Sequence, residues 1–200
     1  YGIQGYPTVL ILSAAGDVIA ETGNNGMEPE AYGAHLKELQ TKGKAAFAAV
    51  MALQAKYEKA TDKAAVVREA IAALAAMPEG VRAGAMLVEV MRNGLVLDPE
   101  NKSGLKLESL RAILGSGFAS PGELQLAAEM DPQDALGLLE IVFAKEAESL
   151  GDDEEVIKRF VDRAHVLMAV EKLQQPAKVS MAFGYAAYFV FNKLGDKEGA

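Results

Sequence analysis

The stretch TVLILSAAGDVIAETG, residues 8–23, sets the chain's opening apart from everything that follows. Thr8–Leu12 is an uncharged run of β-branched and aliphatic residues, too short for a helix and suited to a buried strand. Ala15, Gly16 and Asp17 supply turn chemistry, and Val18–Glu21 reads as a second strand. Together they predict a β-hairpin with a loop of about three to five residues, ended by Gly23-Asn24-Asn25-Gly26. An isolated hairpin is marginal in water, so its strands must pair or pack with something else. The chain's own helices, or a second copy meeting the hairpin, are expected to cover its open edges.

From Met27 onward the pattern is helical. Pro29 opens a segment with Tyr32, His35, Leu36 and Leu39 on one face, and an alanine-rich stretch follows from Lys44 to Lys59. Asp62 caps the next helix, which carries Val66, Val67, Ile71 and Leu74 and closes at Met77-Pro78. Further helices are expected over residues 79–92, 105–115, 120–130, 132–148, 153–173 and 176–194. They are separated by breaks such as Leu97-Asp98-Pro99, Gly115-Ser116-Gly117, Asp131-Pro132 and Gln175-Pro176. The fold class is therefore mainly α with a small β part, an antiparallel helical array behind a hairpin. Residues 1–42 and 43–200 are taken as its two parts. A tetratricopeptide-like period is faint, its clearest trace being Phe191, Gly195 and Ala200.

Composition narrows the chemistry. The 200 residues carry a net charge of -8, the wrong sign for a nucleic-acid footprint or an anionic membrane surface. No apolar run reaches membrane-spanning length, so no membrane insertion is expected. The chain has no cysteine, which leaves it without a disulfide, a thiolate metal site or a thiol nucleophile. Its opening, YGIQGYPTVLIL, has neither Met nor a basic leader, from which a longer parent protein is expected.

The segment YGIQGYPTVLILSAAGDVIAETG resembles the C-terminal half of a thioredoxin-fold domain. Tyr1, Gly2, Ile3, Gly5, Pro7, Thr8, Gly16 and Gly23 stand in register with that pattern, and residues 28–40 would be the domain's last helix. The likeness covers about a fifth of the chain. It implies a cis Tyr6–Pro7 bond and a substrate-side loop in which the backbone of Tyr6 meets an extended polypeptide, Pro7 shapes the loop and Thr8 starts the strand. It also implies a redox CxxC upstream of residue 1. The reading it carries is a fragment of a thioredoxin-like thiol-disulfide oxidoreductase, whose helical region binds a protein or peptide partner. The alternative is a non-catalytic thioredoxin-fold and helical-repeat interaction module. An extracytoplasmic, periplasmic setting is a lean from the resemblance only. LVLDPENKSGLKLESL, at Leu95–Leu110, is similar to a stretch in helical extensions of some bacterial thioredoxin-like proteins.

Other constellations yield to plainer readings, and no cofactor or metal is expected. A calcium loop counted from Asp98 fails, with Lys102, Ser103 and Ser109 at positions 5, 6 and 12. The acids of Asp152-Asp153-Glu154-Glu155 suit a helix N-terminus. His35 and His165 lack metal-ligand spacing. Phe183, Tyr185, Tyr188, Phe189 and Phe191 are expected to form a buried face of the last helix, with a peptide groove as the alternative.

Overall fold

In the computed structural model, which describes residues 8–23, 26–148 and 150–190, the hairpin forms as its sequence dictates. Strand β1 (Thr8–Leu12) runs antiparallel to β2 (Val18–Gly23), with Leu10 opposite Glu21 and a bulge between Ile11 and Leu12. Ser13 holds the turn: its hydroxyl accepts from the N–H groups of Ala15 and Asp17 and donates to the Asp17 carboxylate at 2.8 Å. Gly16 takes φ +92°, a left-handed conformation that other residues resist.

The outer edge of β2 is covered by the chain itself. Glu21 N–H donates to the carbonyl of Gly80 at 2.7 Å, and Arg82 N–H to the carbonyl of Ile19 at 2.9 Å. Ladder groups left open on an exposed edge are thereby satisfied within the fold. Among the described residues no strand pairs with the other edge, that of β1.

Helix α1 (Pro29–Lys59) has Pro29 in its first turn and runs without interruption for 31 residues. The resemblance implied a helix over 28–40 that ends before the alanine-rich stretch from Lys44 to Lys59, with the two parts of the chain divided at residues 42 and 43. Instead the Thr41 hydroxyl donates to the Lys37 carbonyl one turn back, and Gly43 lets the helix lie against β2. A Cβ at Gly43 would sit 3.2 Å from the Ile19 carbonyl oxygen. The expected division at residues 42 and 43 thus falls inside one helix.

Asp62 caps α2 (Lys63–Ala75) by accepting from Ala65 N–H at 3.0 Å. The extended Pro78–Arg82 segment returns to β2, a short 3-10 stretch (Ala83–Leu87) follows, and α3 (Val88–Leu97) runs on beyond the expected end at residue 92. Helix α4 (Leu105–Ser116) packs against α3 where Gly94 meets Ser109. Gly117, at φ +80°, ends α4. Ile19, Leu39, Val67, Leu87, Met91 and Leu110 are among the core residues of this part.

Contacts divide the chain into two compact units, Tyr1–Phe118 and Ala119–Ala200. The second holds α5 (Pro121–Met130), α6 (Leu138–Ala147), α7 (Glu154–Met168) and α8 (Pro176–Phe189). Ser120 and Glu123 form a reciprocal capping box at the start of α5, and Asp153 caps α7. Phe143 of α6 stacks on Phe160 of α7 at 4.5 Å and meets Phe183 of α8 at 5.2 Å, with Leu139, Leu167 and Val179 packed around them. The chain is mainly α with a small β part, and among the described residues no helix is long and apolar enough to cross a membrane.

Candidate functional site

Of the residues that the thioredoxin resemblance marks, Tyr6 and Pro7 lie outside the described residues, and Thr8 opens β1. Thr8 borders a cleft of about 720 Å³ whose polar lining includes Glu21, Thr22, His35, Lys42 and Arg82. His35 stands 3.1 Å from the Thr22 hydroxyl, and Arg82 pairs with Glu21 at 3.1 Å. On its other side the Pro78–Arg82 segment borders an apolar groove of about 570 Å³, lined by Leu74, Met77, Ala85, Ala112 and the half-exposed Phe118. Both hollows fall in the size range of ordinary ligand pockets.

A second pattern was missed by the sequence reading. The loop Asp98–Gly104 between α3 and α4 is repeated 33 residues later by Asp131–Gly137 between α5 and α6, as D-P-x-(N/D)-x-x-G-L. The two loops share their geometry. Asn101 and Asp134 take φ of +54° and +56°, and Gly104 and Gly137 take +79° and +72°. Asp98 accepts from the N–H groups of Lys102, Ser103 and Leu105 and from the Ser103 hydroxyl. Asp131 accepts from Leu136 and Leu138 N–H. Three positions on, Asn101 accepts from Leu107 N–H, and Asp134 from Glu140 N–H. Each leading carboxylate thus closes its own loop and caps the helix that follows. Burial would raise the pKa of Asp98, but the bonds from Ser103, Lys102 and Leu105 outweigh it, and the carboxyl lies below its ordinary range.

Residues 132–148 were expected as one helix because Pro132 directly after an Asp reads as a helix start. Asp131 instead reaches forward five and seven residues, so α6 begins only at Leu138. The recurrence of the motif was the available signal.

Between α7 and α8 lies a third connection, Ala169–Gln175, also of seven residues but with alanine where the others have Asp. Its last two N–H groups are served from a distance. The Glu140 carboxylate of α6, fully buried, accepts from Gln174 and Gln175 N–H at 2.6 and 2.5 Å. Gly137 faces the same connection, where a Cβ would come within 2.6 Å of the Gln174 side chain.

Helix α8 splits the aromatic group. Phe183 and Phe189 are partly buried, whereas Tyr185 and Tyr188 are 44% and 55% exposed and Met181 is 64% exposed. The expectation of a single buried face is therefore corrected for these three outward residues; Phe191 lies outside the described residues. Gly184 leaves open space between them, the floor of a groove of about 380 Å³.

The Asp153 carboxylate accepts from Glu155 and Val156 N–H, the capping role expected of that acidic run. His165 is exposed on α7. Among the described residues no three His, Asp or Glu side chains are placed to hold a metal ion. Comparison with protein-family models, curated proteins and solved structures found no match.

Proposed function

We propose that this chain is the polypeptide-binding part of a thioredoxin-like protein, with the outward face of α8 as the surface that takes the partner. The observation that carries the reading is the composition of α8. Pro176–Phe189 contains one charged residue, Lys178, and is apolar on both sides: Val179, Ala182 and Ala186 inward, Met181, Tyr185 and Tyr188 outward. A helix apolar all round is suited to the interior of a structure, and this one has half of its surface open. Met and Tyr combine large contact area with adaptability, which suits binding to chains without a fixed shape.

Support for the thioredoxin-like part comes from the register of Tyr1–Gly23 with that family's pattern and from the order of hairpin then helix that the pattern implies. Thiol–disulfide exchange needs a thiolate, and these 200 residues have none. Any such activity would belong to a CxxC outside them. The second reading, a non-catalytic interaction module, shares the α8 surface and differs only in having no such motif.

The test is the affinity of the chain for a reduced, carboxymethylated and therefore unfolded protein, measured by titration calorimetry. We expect saturable binding, weakened about tenfold or more, about 1.4 kcal/mol, by Tyr185→Glu or Met181→Glu. Absence of binding by the parent chain, or equal binding by both variants, would overturn the assignment.

A further inference from the structure

Besides Glu123 of the capping box, three carboxylic acids are buried among the described residues of the second unit: Asp131, Asp134 and Glu140, at 2%, 3% and 0% exposure. A carboxylate out of water needs donors or a positive charge to remain ionised. Asp131 has the N–H groups of Leu136 and Leu138, and Glu140 those of Gln174 and Gln175. Asp134 is worse served. Its Oδ1 accepts from Glu140 N–H at 3.1 Å, but its Oδ2 is buried with no donor. The left-handed backbone at φ +56° fixes the residue in this position. A buried carboxyl with one oxygen undonated is better satisfied neutral than ionised, and the Glu140 that donates its N–H to Asp134 also carries a buried carboxylate.

We propose that Asp134 keeps its proton in the folded chain, and that this proton latches the entry of α8 to α6. With it in place, the Glu140 carboxylate binds the N–H groups of Gln174 and Gln175 beside a neutral neighbour. When it leaves, a second buried negative charge appears beside the helix that anchors α8. The latch thus opens as pH rises.

The surrounding charges agree. Burial, the largest cause, pushes the Asp134 carboxyl up to about 6; the N–H of Glu140 lowers it, while the charges of Glu140 and Asp131 raise it. The connection into α8 presents neutral Gln174 and Gln175, with Glu171 and Lys172 exposed. Lys178 of α8 is also exposed, Arg163 of α7 pairs with Glu146 of α6, and Lys145 of α6 pairs with Glu148. On α5, Glu123 closes the capping box and Glu129 accepts from Gln125. The ordinary carboxyl value is 3.8. The folded state therefore binds more protons than the unfolded one between about pH 4 and 6, and stability falls as pH rises through that window.

The experiment is carbon-detected NMR titration of the intact chain, combined with amide exchange of Gln174 and Gln175 corrected for intrinsic rates. The Asp134 carboxyl is expected to titrate near pH 6, with protection of both amides falling about tenfold between about pH 5 and 7.5. Asp134→Asn, which tolerates the left-handed backbone and cannot ionise, should make the protection independent of pH. An Asp134 midpoint in the ordinary range, or protection indifferent to pH in the parent chain, would overturn the proposal. Glu140→Gln offers a check if Asp134→Asn does not fold: the Asp134 midpoint should then move down, and an unmoved midpoint counts against the latch. None of these readouts involves a bound polypeptide, so the result is separate from that of the α8 binding surface.

Discussion

At the scale of single residues, the two Asp-led loops do by side chain what a helix N-terminus otherwise leaves undone. Replacing Asp131 by Ala strands the N–H groups of Leu136 and Leu138 in a buried setting. Chemical denaturation should record a loss of about 2–3 kcal/mol, given what bonds to a charged acceptor contribute. The corresponding loops answer acid differently. Asp98 lies below its ordinary value, so its contribution is complete above about pH 4 and fades as pH falls further, whereas Asp134 favours the folded state on the acid side of about pH 6. Gly94 is the other decisive position: a Cβ there would meet the Ser109 hydroxyl at 2.0 Å. Gly94→Ala should cost about 1–3 kcal/mol and be partly rescued by Ser109→Ala, a coupling that a double-mutant cycle measures directly.

Among the elements, those with local signals were legible. The hairpin was readable because Thr8–Leu12 and Val18–Gly23 are β-branched segments around a Ser-Gly-Asp turn. The starts of α2, α5 and α7 were readable because Asp62, Ser120 and Asp153 cap through bonds spanning two or three residues. Ser120→Ala removes half of the α5 capping box and should cost about 1 kcal/mol in thermal or urea melts. What was not legible depends on distance. Nothing local at Gly43 tells that β2 lies against it, and Asp131-Pro132 looks like a helix start until the carboxylate is seen to reach Leu138. Glu140 gives no sequence hint at all of serving Gln174 and Gln175, more than thirty residues away. The substrate-side role expected of Tyr6 and Pro7 rests on the family pattern alone, with Thr8 placed only as the first residue of β1.

For the whole molecule, the absence of cysteine and the presence of an open apolar helix face point the same way. The 200-residue chain should show no dithiol-dependent reduction of insulin disulfides, since it has no thiol to form the mixed disulfide. The contribution proposed for it is binding, and binding by Met181, Tyr185 and Tyr188 would leave a local mark. The most direct test is hydrogen exchange of the chain with and without a reduced, carboxymethylated protein. The account predicts added protection along α8, centred on Met181–Tyr188. Protection confined to other elements, or none at saturating probe, would contradict it.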